Sequence, residues 1–160
     1  MVLDQSVRQS LKEAVLCWLA TADANGNPRV SPKEIFSAYG SDEIIIANIA
    51  SPNSVKNLRS NPSVCVSFIH VFKQKGHQVF GTARYLTAKD NGFTERLAPL
   101  QAMAGDAFQI LGIIQIQVSS VAPMVAPSYR FVAGTSEAQM IKAAASTYGV
   151  QLTHKPPTED

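Results

Sequence analysis

Hydrophobic and polar residues alternate along this chain with two different periods. Val7, Leu11, Ala14 and Val15 recur at helical spacing behind Asp4, a good N-cap, and predict a first helix with these residues on one face. VLCWLATA then reads as a strand, and Asn25-Gly26 supplies the turn into RVSPKEIF, read as a second strand. Pro32 lies inside that strand and donates no amide, so the strand needs an edge, a bulge or a ligand beside it. EIIIANIA carries an unbroken Ile44-Ile45-Ile46 run, which predicts burial on both faces. Ser51 and Pro52 suit the cap and first position of a short helix through Val55 and Leu58, ended at Asn61-Pro62. SVCVSFIHVF alternates, with Val64, Val66, Phe68, His70 and Phe72 pointing one way. After KQKG, HQVFGTARYL is another strand, with Gly81 where a bulge or close neighbour is expected.

The remainder follows the same logic. Phe93, Leu97 and Leu100 predict a helix disturbed by Gly92 and Pro99, and FQILGIIQIQVSSVAPMVA a long strand region. Ser136 and Gln139 form a capping box for a last helix through Met140, Ile141, Ala144 and Tyr148, stopped by Gly149. About six strands in series, joined mostly by short turns, favour a mainly β fold: an antiparallel sheet closed into a barrel, with flanking helices. Residues 1–150 are expected to form one domain and residues 151–160 a polar tail.

Composition narrows the function classes. Of 160 residues, 46% are hydrophobic and only 16% charged, which argues against disorder and predicts that something covers much of the surface. Strands apolar on both faces, Ile44–Ile46 and Val64–Phe72, need a barrel interior and an outer cover, and a second copy of the chain is the simplest cover. The net charge is +2 and the basic residues form no run, so nucleic acid is not expected as a partner. No stretch approaches the roughly 20 apolar residues of a membrane span. The polar, amphipathic N-terminus is not expected to act as a secretory signal. Cys17 and Cys65 lie in apolar runs without a CxxC, and read as buried small residues in a reducing, cytoplasmic setting.

Two segments could carry chemistry. In SPNSVKNL a helix start with unpaired amides coincides with Ser51, Asn53, Ser54 and Lys56, which makes a candidate phosphate cradle. The plainer reading is an ordinary capped helix. In RVSPKEIF, Arg29, Ser31 and Lys33 project from one strand face, opposite Val30 and Pro32, where a flat aromatic ligand could lie. The plainer reading there is an edge strand protected by charge and proline. His70 reads as a core or interface residue, His77 as solvent-facing, and His154 as part of the tail. Trp18 reads as core. No HExxH, GxSxG, GxGxxG or P-loop spacing occurs, so neither a metal site nor a specific catalytic residue is assigned.

Taken in order, LATADANGNPRVSPKEIF, EIIIANIASPNSVKNLRSNPSVCVSF and QVFGTARYL resemble the pyridoxamine 5′-phosphate oxidase-like flavin-binding split barrels, over about Leu16 to Leu86. The resemblance implies a six-stranded split barrel that dimerises with FMN at the subunit interface. It implies that Arg29, Val30, Ser31 and Lys33 run along the isoalloxazine ring, and that Ala47, Asn48, Ser51, Asn53, Ser54 and Lys56 hold the ribityl phosphate. Gln78 and Tyr129-Arg130 are the places from which a second subunit would complete the site. Many relatives have Arg or Lys pairs where this chain has Pro52, Asn53 and Ser54, and the vitamin oxidases carry a late tryptophan-containing segment absent here. The expected activity is therefore an FMN-dependent oxidoreduction on an unnamed substrate. The rivals are a non-enzymatic flavin-binding or storage module, and a split barrel that binds haem or a deazaflavin.

Overall fold

Two strands adjacent in sequence end at opposite edges of one sheet, and that explains the architecture. A computed structural model describes residues 2–153. The elements are α1 (Gln5–Glu13), β1 (Cys17–Ala22), β2 (Pro28–Lys33), β3 (Phe36–Tyr39), β4 (Glu43–Asn48), α2 (Pro52–Ser60), β5 (Ser63–His70), β6 (Lys75–Leu86), α3 (Phe93–Ala104), β7 (Gly112–Val125), α4 (Ser128–Phe131) and α5 (Glu137–Tyr148). The sheet order is β2-β1-β5-β6-β7-β4-β3, with every pair antiparallel. Only Glu34 and Ile35 separate β2 from β3. The sheet must curl until its two edges meet at this link, and the Ala47 amide donates to the Ile35 carbonyl there at 2.9 Å. The result is an antiparallel half-barrel with flanking helices.

There are seven strands rather than six. RVSPKEIF does not continue as one strand, because β2 pairs with β1 while β3 pairs with β4. Pro32 can offer no ladder amide, and it sits on the edge strand where none is required.

The barrel interior is filled by Cys17, Leu19, Ile44, Ile46, Val66, Phe68, Val79, Ile114 and Ile116, closed at one end by Leu3, Val7 and Leu11 of the N-terminal segment. Asp4 accepts the Val7 amide at 3.0 Å and caps α1, as the sequence indicates. The helix ends at Glu13, which leaves Val15 outside its apolar face and 83% exposed. Ile45 points to the other side of β4 and packs with Ile113, Leu86, Phe93 and Leu100. The triple isoleucine is thus buried on both faces, but α3 of the same chain supplies the outer cover. A second copy is not needed at this place. Each fully buried isoleucine contributes about 1.5–3 kcal/mol of burial free energy.

Gly81 marks the register shift between β6 and β7, where a Cβ would overlap the Gln117 carbonyl. Ser136 and Gln139 form the predicted capping box, and Gly149 ends α5 in the left-handed region. Trp18 is not core. Cys17, Leu19 and Thr21 take the inward positions of β1, and Trp18 stands outward, opposite Pro32 and 43% exposed. Cys65 is likewise only half-buried. His77 pairs opposite Phe68 on the inward face and is half-buried rather than fully solvent-facing, with Nδ1 buried. His154 and the rest of the 154–160 tail lie outside the described residues.

Candidate functional site

The inward face of β2 carries positive charge at both ends. Arg29, Ser31 and Lys33 pair opposite Thr21, Leu19 and Cys17, so all three share the face of the barrel interior, while Val30 and Pro32 face outward. The far edge of β2 pairs with no strand among the described residues. Helix α2 lies beside this face, tied to β1 by the Asn57 amide group, which donates to Thr21 Oγ1 at 3.0 Å inside the protein.

At one end Lys33 is buried and its ammonium reaches Ser51 Oγ at the start of α2. It makes no salt bridge among the described residues. Burial holds its pKa below the ordinary lysine value, opposed by the nearby Cys17. The same burial pushes the Cys17 thiol up to about 12, so Cys17 is inert. Ser51 donates its own amide to Asn48 Oδ1 at 3.1 Å, and Asn48 donates its side-chain amide to Tyr85 Oη at 3.1 Å. The Ser51 side chain does not cap α2, because Lys33 engages it, so the first turn carries no side-chain cap. Lys33, Glu34, Ile35, Ala47, Ser51 and Phe108 are among the residues that line a cavity of about 200 Å³ here; Glu34 is the one carboxylate on its wall and makes no salt bridge with Lys33.

At the other end the β1–β2 loop and the exposed side of α2 enclose a cleft of about 630 Å³. Arg29, Lys56 and Arg59 line it together with Asn53. The one carboxylate on its wall, Asp23, is turned into its own loop and accepts from the Asn25 amide, the Asn27 amide and Asn27 Nδ2, each at 2.9 Å. Those bonds to Asn27, more than the adjacent Lys56, hold its pKa below the ordinary carboxylate value.

The expected site residues therefore divide. Lys33, Ala47, Asn48 and Ser51 gather at the buried end; Arg29, Asn53 and Lys56 gather at the open end. Ser31 lies between the two ends. Ser54 falls on the packed face of α2 and is 2% exposed. Val30 is on the opposite, outward surface. Gln78 lies three strands from β2, opposite Ser67, and joins neither group within one chain. Tyr129 is engaged elsewhere: its hydroxyl donates to the Lys73 carbonyl at 2.8 Å, and Lys75 Nζ lies 4.3 Å from its ring centre.

Sequence reasoning missed Tyr85, Phe108 and Arg59. Tyr85 rests on Gly112, where any Cβ would collide with its ring, so the glycine opening β7 was its signal. Arg59 follows Lys56 at i+3 on α2 and was legible in principle. Phe108 comes from the loop before β7 and left no local pattern.

A family model described as pyridoxamine 5′-phosphate oxidase matches residues 3–133. No curated protein matches the sequence. Among solved structures, the chain resembles an FMN-binding protein from Syntrophomonas wolfei at 14% identity, covering 78% of this chain and 90% of that one, with a TM-score of 0.64. It resembles the heme storage protein HutZ from Vibrio cholerae at 19% identity, covering 78% and 95%, with a TM-score of 0.62. It also resembles an F420 reductase at 16% identity, covering 74% and 98%, with a TM-score of 0.56. At these identities the structural likenesses establish the fold alone.

Proposed function

The chain belongs to the pyridoxamine 5′-phosphate oxidase family, and from that premise we propose that it is an FMN-binding oxidoreductase acting as a homodimer. The observation that carries this reading is the strand β2, with a buried cation at one end, a cationic cleft at the other, and a free edge between them. From Arg29 to Lys33 the strand covers about 13 Å, a span suited to an extended ribityl phosphate with part of its ring. The uncapped first turn of α2, with Asn53 and Lys56, suits the dianionic phosphate. Lys33 suits the ring edge on which negative charge develops, since a desolvated ammonium acts there with little competition from water. The flavin supplies the hydride chemistry; Lys33, Ser51 and Asn48 orient it, and Phe108 shields the cavity mouth.

The outward face of β2, β1, β5 and β6 supports the homodimer reading. Val30, Pro32, Trp18, Ala20, Cys65, Ser67, Ile69 and Phe80 carry no charge, and Val30, Trp18 and Phe80 are exposed. Such an unbroken neutral surface suits a second copy, which would bring Gln78 toward the site. No described helix is long and apolar enough to cross a membrane, and the unpaired cysteines fit a reducing cytoplasm.

Titration of the purified protein with FMN and with riboflavin, followed by flavin fluorescence, tests the reading. FMN is expected to bind, to bind more tightly than riboflavin, and to raise the midpoint of thermal unfolding of a dimer seen by light scattering. A protein that ignores FMN, or stays monomeric with FMN bound, overturns it.

A further inference from the structure

We propose that Tyr85 is a positioning residue: its hydroxyl, acting through Asn48 and Ser51, fixes the place of the Lys33 ammonium and the ease with which that group keeps its proton. The inference rests on the flavin reading only for the task that Lys33 performs.

Four elements meet at the Lys33 end of the barrel. Asn48 closes β4, Gly112 opens β7 and pairs with it, Tyr85 stands next to last in β6, and Ser51 precedes α2. The alternation that puts Ile46 and Ile114 in the core also turns Asn48 and Gly112 inward, and Tyr85 pairs opposite Ile114 on the same face. Strand β7 lies between β6 and β4, so the Tyr85 phenol must cross β7 to reach Asn48. It crosses at Gly112, where a Cβ would overlap its Cζ and Oη. Glycine is required there for close approach, and the space it leaves is filled by the one ring that touches Asn48.

The directions of these hydrogen bonds are set from one end. The Ser51 amide can only donate, so Asn48 turns Oδ1 toward it and keeps Nδ2 for Tyr85. The phenol oxygen therefore accepts from Nδ2, and it is the only partner of that buried amide nitrogen among the described residues. Without the hydroxyl, Nδ2 is left unsatisfied, and Asn48 gains by turning away from Ser51 to find another acceptor. Ser51 Oγ is in turn the only hydrogen-bond partner of the Lys33 ammonium among the described residues. The titratable groups facing Lys33 are Cys17 of β1, whose thiol burial pushes up to about 12, and Glu34, which lines the cavity without a salt bridge to it. The placement of one serine hydroxyl therefore decides how well a desolvated ammonium is held, and Tyr85 secures that placement from three strands away in sequence order.

The test uses the full chain, free of flavin and carrying isotopically labelled lysine, and follows the Lys33 side-chain NMR signal against pH. The signal is assigned by its loss in Lys33→Met. Tyr85→Phe keeps the ring against Gly112 and removes only the oxygen, and it is expected to lower the Lys33 midpoint by roughly half a pH unit or more. Ser51→Ala removes the acceptor itself and should lower it at least as far. The double variant should titrate like Ser51→Ala alone, because Tyr85 acts through Ser51. A packing role for Tyr85 leaves the midpoint of Tyr85→Phe at the parental value, and that result overturns the proposal, as do additive shifts in the double variant. With flavin added, Tyr85→Phe should weaken FMN and riboflavin equally, by about three- to tenfold. A loss confined to FMN overturns the proposal. If FMN does not bind the parent at all, the lysine titration of the flavin-free chain still decides the role of Tyr85, so the two readings fail separately.

Discussion

The two ends of β2 achieve positive potential by opposite means. At Lys33 a single ammonium is buried beside Ser51, without a salt-bridge partner among the described residues although Glu34 lines the same cavity, and its charge is costly to hold but strong where it acts. At Arg29 three cations share an open cleft, each well hydrated and screened by salt. Burial concentrates one charge, whereas accumulation spreads several. The first suits a fixed contact with a polarised ring edge, and the second suits attraction and capture of phosphate from solution. The two ends should therefore respond differently to pH, to salt and to truncation.

The largest expected effect is at the buried end. Lys33→Met keeps the aliphatic stem and removes the charge. The loss of one charge-assisted hydrogen bond, about 1.5–3 kcal/mol, lowers affinity roughly 10- to 100-fold. Because Lys33 addresses the ring rather than the phosphate, FMN and riboflavin should suffer together, as fluorescence titration of both would reveal. A loss confined to FMN would move Lys33 to the phosphate and erase the contrast between the ends.

The pH dependence sharpens the same point. Burial lowers the pKa of Lys33 below 10.5 in the free fold. Between that depressed value and 10.5 the unfolded chain binds the more protons, so this group makes stability rise with pH across the window and fall as pH drops through it. An electron-rich ligand edge restores the proton, so binding takes up a proton in that window and affinity declines as pH rises through the depressed value. Calorimetry of FMN binding in buffers of different ionisation enthalpy would detect the uptake. Lys33→Met should abolish it, and an unchanged uptake in that variant assigns it to another group.

Much of this contrast is legible in the sequence, and the reasons differ by residue. Alternation alone placed Arg29, Ser31 and Lys33 on one face, because a strand has only two faces and Val30 and Pro32 took the other. The triple isoleucine announced double burial but not its cover, since α3 returns from a distant part of the chain and only packing shows that Phe93 and Leu100 meet Ile45. The break after Lys33 was invisible for a related reason. β2 and β3 read as one strand locally and separate only because their partners, β1 and β4, stand at opposite edges of the sheet. Burial of Lys33 was equally hidden, for sequence assigns a lysine to solvent by default. Trp18 was misplaced by the converse default, that a large aromatic residue belongs inside.

At the open end a smaller and salt-sensitive effect is expected. Lys56→Ala removes one exposed cation from the cleft, so FMN affinity should fall several-fold at low ionic strength and riboflavin affinity hardly at all. The difference should shrink as salt approaches 1 M, where the screening length is only about 3 Å. Paired titrations at low and high salt give a direct check. A salt-independent loss would mean that Lys56 is held in a desolvated contact, as Lys33 is.

The smallest effect belongs to Ser54, and it tests whether the cradle is made by backbone or side chains. Ser54 occupies the packed face of α2 together with Val55 and Leu58, while Asn53 and Lys56 face the cleft. A phosphate at the first turn can meet the Ser54 amide, but the hydroxyl points away from the cleft wall on a residue that is 2% exposed. Alanine preserves the amide and is the best helix former. Ser54→Ala should therefore change the ratio of FMN to riboflavin affinity by less than about twofold, against the roughly 10- to 100-fold expected for loss of a charge-assisted bond to phosphate. A tenfold change in that ratio would show that the serine side chain turns to the ligand on binding. The open end would then rely on a buried polar contact like the one at Lys33, and the distinction between the two ends of β2 would fall.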